Sequence, residues 1–356
     1  MKFKRVVIFT KTNWDEPPRI RHQLTKLLLE NEHEVIFFEK SNFKQFKIIK
    51  YIKDNILFFK HFELLHHQLR PFGFMVKINA MVTKFFIKKA LKNEKIDLII
   101  NFNYDYYFLK EMFSDLKIVT IINDDFVAQA RPWMPKSIKQ QLKQTCENSD
   151  LVFAVSYPLQ EQLVEFNKNT KLFFPWTFKK YEKPTNNINR NVVLYWGYID
   201  HRIDWKIIKY LLEKGIKLRF IGMVSHKVES ILNDFNKFDN FELLKPTKLE
   251  DVYLDDISCS ILPYVNTSGE MIAVTVNNRV FQLLSYGIPL VYVNLPNLIK
   301  TSEKVIKKCT LENEYFQAIK YFENNFYDCQ DDIESFLGNH YSEKRYEYLI
   351  KSIEEI

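Results

Sequence analysis

Residues 276–294 read VNNRVFQLLSYGIPLVYVN, a stretch whose single glycine separates a helical pattern from a β-branched run. The whole chain of 356 residues contains only seven glycines, whereas ordinary usage would place about two dozen in a chain of this length. Glycine accepts the left-handed backbone conformation that ends a helix, and a following proline cannot continue one. The stretch therefore predicts a helix at Arg279–Ser285, a corner at Gly287 and a strand at Leu290–Val293.

The same alternation of β-rich runs and segments with a 3.6-residue period extends through the chain. In the first half it predicts strands Val6–Thr10, Glu34–Glu39, Ile96–Asn103, Ile118–Asn123 and Leu151–Ser156, and a helix Arg19–Asn31. In the second half it predicts strands Val192–Trp196, Leu218–Ile221, Phe241–Leu244 and Cys259–Pro263, and helices Trp205–Glu213 and Val228–Phe235. Such alternation is typical of parallel, doubly wound sheets, so the sequence predicts an α/β protein with two similar halves.

A polar stretch with several asparagines, YEKPTNNINR (residues 181–190), separates the two halves and has the composition of an interdomain linker. The predicted domains are residues 1–178, an N-terminal Rossmann-like domain, and residues 190–335, a second Rossmann-like domain. Residues 336–356 have helical spacing without a further strand. A C-terminal helix is therefore expected to pack across the outside.

Composition excludes several classes of protein. No run of about 18 apolar residues occurs and the N-terminus lacks a cleavable signal pattern, so a cytoplasmic location is expected. The four cysteines are far apart, with no C-x-x-C pair, which argues against a zinc site and against a disulfide framework. No G-x-G-x-x-G follows the first strand and no P-loop motif occurs, which argues against dehydrogenase-type dinucleotide sites and kinase-type ATP sites.

Several segments of the second half together resemble the nucleotide-binding domain of GT-B glycosyltransferases, most of all the family 4 type. They are LYWGYIDHRID, LRFIGMV, the N-F-x-L-L strand, DISCSILPY and NNRVFQLLSYGIPLV. The first half resembles the acceptor domain of these enzymes. The resemblance implies two Rossmann-like domains facing a cleft, a nucleotide diphosphate sugar as donor substrate, and no further cofactor.

The family motif near the opening stretch is approximately P-x-K/R-x-x-E-x-L-A-x-G-x-P-V-V, and the resemblance carries roles onto individual residues. Arg279 matches the basic position and would hold the donor diphosphate, and Gly287 matches the glycine. The family's glutamate, which holds the ribose hydroxyls of the donor, falls on Gln282, an uncharged amide of similar reach. The motif's proline falls on Asn277. Asn277 and Asn278 would open a helix whose N-terminus faces the phosphates.

Further candidates in the second half lie where predicted strands end. Gly197 and Arg202 follow the first strand of this half, where the guanidinium would pair with the donor diphosphate. The alternative for Arg202 is a surface ion pair with Asp200 or Asp204. Lys245 follows a later strand and would reach the nucleotide.

Candidates in the first half are carboxylates at strand ends. Asp124 would contact the acceptor hydroxyl, although Asp15, Glu16 and Asp125 occupy comparable positions, and such carboxylates are often cap or turn residues. No D-x-D sequence occurs, so no metal site is predicted, and positive charge is expected from arginines and helix N-termini. The resemblance implies retention of anomeric configuration, with the departing phosphate taking the acceptor proton.

The net charge of +7 is concentrated in residues 41–95, which carry twelve Lys or Arg against three acidic residues. Apolar and basic residues alternate there with helical spacing, which predicts a pair of amphipathic helices. These helices either form a solvated outer face or dock the domain on an anionic surface, such as the inner face of a membrane. Nucleic acid is not an expected partner, because no helix-turn-helix or zinc-finger pattern occurs.

The predicted function is that of a metal-independent glycosyltransferase, which moves a sugar from a nucleotide diphosphate donor to a glycan or lipid-linked acceptor in surface polysaccharide synthesis. Gln282, in place of an acidic residue, keeps one alternative open. This is a catalytically silent relative that binds a nucleotide sugar or a glycan.

Overall fold

A computed structural model describes residues 3–16, 18–184, 189–265, 278–295 and 298–356. Within these ranges the chain forms two compact units. The first comprises the described residues up to Phe174 together with Tyr346–Ile356, and the second comprises those from Pro175 to Arg345. Each unit is built around one mainly parallel sheet, which confirms the predicted α/β class with two Rossmann-like halves.

The first unit contains an eight-stranded sheet. Its strands are β1 (Arg5–Phe9), β2 (Glu34–Phe38), β3 (Ile49–Lys53), β4 (Ile56–Lys60), β5 (Leu98–Asn101), β6 (Lys117–Ile122), β7 (Leu151–Ala154) and β8 (Thr170–Leu172). Its helices are α1 (Ile20–Glu30), α2 (Gly73–Leu91), α3 (Leu109–Met112), α4 (Pro135–Glu147) and α5 (Tyr157–Val164). The order is β3-β4-β2-β1-β5-β6-β7-β8, and all neighbours are parallel except β3 and β4.

The central strands of this sheet are buried on both faces. Every residue from Val6 to Phe9 is 0% exposed, and so are Ile99 and Ile100 of β5. Buried parallel strands read as continuous apolar runs, which explains why the sequence pattern identified them. The strand order reverses between β1 and β5. At such a reversal the carboxyl ends of the strands leave a crevice for ligands.

The prediction of two amphipathic helices in residues 41–95 is wrong for its first part. Strands β3 and β4 form an antiparallel hairpin there. Its two-residue loop, Asp54-Asn55, has φ values of 50° and 60°, which is the geometry of a type I′ hairpin turn. Phe59 of β4 is 1% exposed, so part of the apolar set assigned to an outer helix face completes the core instead. Helix α2 confirms the second part of the prediction.

The second unit contains a six-stranded, wholly parallel sheet. Its strands are β9 (Val192–Trp196), β10 (Lys217–Ile221), β11 (Phe241–Leu244), β12 (Ile257–Leu262), β13 (Leu290–Val293) and β14 (Ile306–Cys309). The helices from here to the end of the chain are α6 (Trp205–Glu213), α7 (Glu229–Phe235), α8 (Asn278–Ser285), α9 (Glu312–Asn325), α10 (Gln330–Leu337) and α11 (Ser342–Glu354). The order β11-β10-β9-β12-β13-β14 reverses between β9 and β12.

The corner at Gly287 forms as the sequence predicts. Gly287 has a φ of 71°, and its N–H donates to the carbonyl of Leu284 at 2.9 Å. The N–H of Ile288 donates to the carbonyl of Leu283 at 3.2 Å, which completes a Schellman motif. Nε2 of the buried Gln330 donates to the Gly287 carbonyl at 3.1 Å, so α10 holds the corner in place. This corner leaves the first residues of α8 at the carboxyl edge of the sheet.

The last residues of the chain pack within the first unit. The Tyr346 hydroxyl lies 2.8 Å from Nε2 of His33, and Nζ of Lys117 donates to the carbonyl of Ile353 at 2.7 Å. Helix α11 therefore fastens the chain end to the segments that precede β2 and begin β6. Among the described residues, no helix combines the length and apolar character needed to cross a membrane.

Candidate active site

The carboxyl edge of the second sheet gathers around the guanidinium of Arg279. Arg279 lies in the first turn of α8, and its Nη1 donates to the carbonyl of Trp196, the last residue of β9, at 3.0 Å. Its Nη2 donates to the hydroxyl of Tyr264, which follows β12. Arg279 therefore connects the ends of the two strands between which the order of the sheet reverses. This is the place where open α/β sheets bind ligands.

Among the described residues, the groups that contact the Arg279 guanidinium are all uncharged. The guanidinium carbon lies 5.8 Å from the ring centroids of both Tyr195 and Tyr264. Burial alone would lower the pKa of Arg279, but Tyr264 and Tyr195 beside it raise that pKa above the ordinary value. The residue stays positively charged without a carboxylate partner in the described part of the chain. Such a group is suited to binding an anion.

Two glycines permit the close approach of Arg279 to the strand ends. Gly197 has a φ of 149°, and a Cβ atom at this position would overlap the Arg279 guanidinium. A Cβ atom on Gly222, the residue after β10, would overlap the carbonyl oxygen of Gly197. The sequence pattern indicated Gly197 as a site residue but did not indicate Gly222 or Tyr264. The available signal for Gly222 was its place in the segment LRFIGMV, directly after the strand residues LRFI.

Arg202 forms an ion pair with Asp200, as one of the two alternatives for this residue anticipated. Its Nε donates to Oδ2 of Asp200 at 2.9 Å, and its Nη2 lies 2.8 Å from the same oxygen. The Arg202 side chain is 39% exposed, so part of the guanidinium still faces solvent. The Arg202 carbonyl accepts from the N–H of Val265 at 2.8 Å, which places it beside the end of β12. Asp204 instead caps α6.

Two predicted nucleotide-binding residues lie on α8. Asn278 is the first residue of this helix and directly precedes Arg279. Gln282 lies one turn later and is half-buried. Because residues four apart share a helix face, Asn278 and Gln282 are neighbours on α8. Asn277 lies outside the described residues.

Lys245 lies on an exposed loop that follows the edge strand β11. The same loop reaches the end of β9, because Nε1 of Trp196 donates to the carbonyl of Thr247 at 2.9 Å. The loop therefore borders the Arg279 site, while the Lys245 side chain extends into solvent.

Asp124 lies at the carboxyl edge of the first sheet, two residues after β6. Its Oδ2 accepts from Nδ2 of Asn123 at 2.6 Å. Burial raises the pKa of Asp124, and the nearby Arg21 opposes that rise. The competing candidates have local partners. Asp125 accepts from two N–H groups of its own turn, and Asp15 forms an ion pair with a lysine of β3 at 2.7 Å.

A buried network of four charged side chains, which sequence analysis missed, occupies the same edge. Nη1 of Arg70 and Nζ of Lys11 each lie 2.8 Å from Oδ2 of Asp105. Nη2 of Arg70 lies 2.6 Å from Oε2 of Glu63. Burial alone would raise the pKa of Glu63, but Lys11, His61 and Arg70 hold it well below its ordinary value. The charges balance, so the network fixes the geometry of this edge.

Comparison by sequence finds no matching protein-family model and no matching curated protein. Several solved structures match over nearly the whole chain. Trehalose-6-phosphate synthase from E. coli bound with UDP-2-fluoro glucose has a TM-score of 0.68 and 11% identity, covering 99% of this chain and 99% of that chain. Sucrose-phosphate synthase from Thermosynechococcus elongatus has a TM-score of 0.67 and 12% identity, covering 99% and 98%. The lipopolysaccharide outer core galactosyltransferase WaaB has a TM-score of 0.67 and 12% identity, covering 99% and 99%. At these identities the likeness concerns the fold, and the chain therefore has the GT-B fold of glycosyltransferases.

Proposed function

We propose that this protein is a glycosyltransferase that moves a hexose-type unit from a nucleotide diphosphate sugar to a glycan or lipid-linked acceptor, as in surface polysaccharide synthesis. The observation that carries the proposal is the half-buried guanidinium of Arg279 at the strand-order reversal of the second sheet, where its described partners are all uncharged. A bound diphosphate would supply the missing negative charge. The shared fold supports the proposal, because a sucrose-phosphate synthase and a galactosyltransferase also have it.

The residues at this edge offer the positive charge that a departing nucleoside diphosphate requires. Arg279 offers a half-buried guanidinium, Arg202 a partly exposed one, and α8 the partial positive charge of its N-terminus. Stabilising the charge that develops on the leaving phosphate is the main catalytic contribution that such groups make. The proposed transfer needs no metal ion. The departing phosphate takes the acceptor proton, and the anomeric configuration is retained.

Asp124 is the proposed contact to the acceptor hydroxyl. Its carboxyl group lies at the carboxyl edge of the first sheet, where α/β units bind ligands. A carboxylate in this position accepts a hydrogen bond from a hydroxyl and so orients the attacking oxygen. Gly197, Asn278, Gln282 and Lys245 are the proposed contacts to the nucleotide.

Calorimetric titration with a panel of nucleoside diphosphates and their sugars tests the donor site. Arg279→Ala and Arg202→Ala are each expected to weaken binding by about 2–4 kcal/mol, which is typical of removing a charged partner of a bound anion. Arg219→Ala is the matched control, because Arg219 lies on the neighbouring β10 and its guanidinium binds Asp256 at 2.9 Å. Wild-type affinity of both site variants for every nucleotide would show that the site is misplaced.

Gln282 favours a second candidate function, that of a silent relative that binds a nucleotide sugar without transferring it. An amide at this position can still accept from ribose hydroxyls, but it lacks the charge of a carboxylate. The two functions differ in turnover. Binding of a sugar nucleotide without release of its nucleoside diphosphate, with water or a glycan extract as acceptor, would support the silent relative. Measurable release would support the transferase.

The first unit is proposed to dock on an anionic membrane surface through α2. Four apolar side chains of this helix form a stripe at helical spacing, and all are between 47% and 67% exposed: Phe74, Ile78, Met81 and Phe85. The exposed lysines Lys77, Lys88 and Lys89 flank the stripe. Apolar residues between lysines are typical of helices that lie in a membrane interface. Because the flanking lysines are positively charged, we propose that the surface that covers this stripe is an anionic bilayer.

Flotation with liposomes tests this docking. Binding is expected with anionic vesicles and not with neutral ones, and it should disappear at high salt. Near an anionic leaflet each lysine contributes about 1 kcal/mol, so replacing Lys77, Lys88 and Lys89 by Gln should abolish flotation. Ile52→Gln is the control, since Ile52 is 74% exposed on β3, outside the stripe. Equal flotation with neutral and anionic vesicles would refute the proposal and favour a soluble acceptor.

A further inference from the structure

Arg21, the second residue of α1, is buried at the carboxyl edge of the first sheet with an exposure of 6%. Its Nη1 donates to the hydroxyl of Thr12, and its Nη2 donates to Oδ1 of Asn123 at 3.5 Å. The guanidinium carbon lies 5.7 Å from the ring centroid of Phe102. None of these three partners is charged. The structure therefore buries a positive charge without a contacting carboxylate among the described residues.

The guanidinium also has unused hydrogen-bonding capacity. An arginine offers five N–H donors, and in the described part of the chain only the two bonds to Thr12 and Asn123 use them. Its Nε is buried and has no partner there. Burial lowers the pKa of Arg21 to about 10, with Arg19 adding to the effect and Asp124 and Glu16 opposing it. The residue is therefore still charged at neutral pH.

The carboxylates nearest in sequence are engaged by other groups. Asp15 pairs with Lys53 at 2.7 Å. Glu16 accepts from the N–H of Asn13 at 3.2 Å. The other buried cation of this edge, Arg70, is matched by two carboxylates of the network described above. Asp124 lies close enough to affect the pKa of Arg21, but no ion pair or hydrogen bond joins the two side chains among the described contacts. A buried charge without a contacting counter-charge is costly to the fold. Arg21 thus contrasts with Arg70, whose charge is fully compensated.

The position of Arg21 at the carboxyl edge of the first sheet indicates a ligand-binding site. Thr12 follows β1 and Phe102 follows β5, and these are the strands between which the order of the first sheet reverses. Ligands of open α/β sheets bind at such a reversal. Helix α1 has 11 residues and begins at Ile20, so its N-terminus adds partial positive charge next to the guanidinium.

We propose that Arg21, the Thr12 hydroxyl and the N-terminus of α1 bind a phosphate group carried by the acceptor. A guanidinium matches phosphate oxygens in a two-pronged geometry, and a helix N-terminus with a hydroxyl is a common phosphate environment. The assignment to the acceptor rests on the proposed glycosyltransferase function, because in that function the second unit binds the donor. The phosphate belongs either to a lipid-linked acceptor or to a soluble sugar phosphate.

Thermal unfolding of the full chain in inorganic phosphate tests the site, with potassium chloride at equal ionic strength as reference. Phosphate should raise the Tm of the wild type in a concentration-dependent way, and the concentration needed should rise about tenfold or more in Arg21→Met. Without phosphate, Arg21→Met should unfold at about the same Tm as the wild type, because Arg21 forms no ion pair among the described residues that the substitution would break. Lys26→Gln removes an exposed positive charge five residues further along the same helix and should behave as the wild type.

A structural role for Arg21 gives a different pattern. A wild-type phosphate response in Arg21→Met, together with a lowered Tm in chloride, would overturn the proposal. If Arg21→Met does not fold, Arg21→Lys is the variant to measure. It keeps the charge but loses the two-pronged geometry, so its phosphate response should be weakened. An unchanged response in Arg21→Lys would also overturn the proposal.

Two further ligands identify the source of the phosphate. A hexose 6-phosphate in solution and a prenyl diphosphate in detergent micelles are titrated against the wild type and Arg21→Met. The ligand whose binding is weakened in Arg21→Met identifies the source of the phosphate. If neither ligand binds more weakly to Arg21→Met, the assignment to the acceptor is refuted. Nucleoside diphosphate affinity should be the same in both proteins. Absence of nucleotide binding in the wild type would refute the donor site alone and leave the phosphate result at Arg21 intact.

Discussion

The carboxyl edges of the two sheets both hold an arginine, but the groups that surround the two arginines differ in chemistry. Each edge places an arginine at the strand-order reversal, Arg21 in the first unit and Arg279 in the second, and each holds that arginine with uncharged partners. Around Arg21 the first unit builds its edge from buried ion pairs. Around Arg279 the second unit uses glycine backbones and tyrosine rings.

This difference shows what maintains each edge. In the first unit the geometry depends on charges that compensate one another, so loss of one side chain leaves another charge buried and unpaired. In the second unit the geometry depends on missing Cβ atoms, so the addition of a single methyl group disturbs it. We therefore expect the first edge to be most sensitive to charge removal and the second to be most sensitive to added volume.

The largest expected effect is that of Arg70→Met in the first unit. Arg70 is 3% exposed and contacts the fully buried carboxylates of Glu63 and Asp105. Its loss should reduce the free energy of unfolding by about 3–5 kcal/mol, because both carboxylates lose a partner in a desolvated site. Denaturant-induced unfolding at neutral pH measures this change.

The control for that variant is an exposed ion pair of the same unit. Lys110 and Asp150 lie 2.9 Å apart with side chains 35% and 29% exposed, so Lys110→Met should cost no more than about 1 kcal/mol. Equal losses in the two variants would contradict the view that burial of the network gives it its stabilising role.

The sequence predicted the regular elements well because buried parallel strands are continuous apolar runs. The strands β9, β11 and β13 have the predicted bounds. The corner at Gly287 also followed from local chemistry, since a glycine in a glycine-poor chain marks a backbone conformation that other residues avoid. The β3–β4 hairpin was missed because its signal is a turn, Asp54-Asn55, rather than a period.

The contacts of the two edges could not be predicted in the same way. The charged network joins Lys11, Glu63, Arg70 and Asp105. These residues lie in three separate connections, after β1, between β4 and α2, and after β5, so no local pattern joins them. Arg21 looks like an ordinary helix residue in the sequence, and only its burial distinguishes it. The roles of the candidate site residues stay predictions until binding is measured.

The second largest effect is expected for Gly222→Ala in the second unit. The added methyl group would overlap the carbonyl oxygen of Gly197, a backbone atom that cannot move aside without displacing the end of β9. Overpacking of this kind costs about 2–3 kcal/mol of folding free energy. It should also weaken nucleotide binding, because Arg279 packs against the same backbone. Gly73→Ala is the control, since a Cβ there meets no atom within 4 Å. A neutral Gly222→Ala variant would show that the second edge does not depend on the missing Cβ atom at this position.

A smaller effect is expected for Tyr264→Phe, which removes the hydroxyl that accepts from Nη2 of Arg279 but keeps the ring. The guanidinium then loses one of its two oriented partners, and nucleoside diphosphate affinity should fall by about 1–2 kcal/mol in calorimetry. Tyr253→Phe is the matched control, because Tyr253 is 60% exposed. Unchanged affinity in Tyr264→Phe would show that the Trp196 carbonyl alone is sufficient to orient Arg279.

The smallest effect concerns Gln282, an amide at the position where the family motif that this sequence resembles has a glutamate. If Gln282 accepts from a ribose hydroxyl, Gln282→Ala should cost about 1 kcal/mol of nucleotide affinity, which is the value of a single neutral hydrogen bond. Gln282→Glu should bind equally well or better, because a charged acceptor forms a stronger bond to a hydroxyl. Calorimetry with a nucleoside diphosphate and its 2′-deoxy analogue measures both variants. The wild type should bind the deoxy analogue less tightly than it binds the parent nucleotide. Gln282→Ala should bind the two nucleotides with equal affinity. A Gln282→Ala variant with full affinity and a Gln282→Glu variant that unfolds at a lower Tm would identify Gln282 as a packing residue of α8.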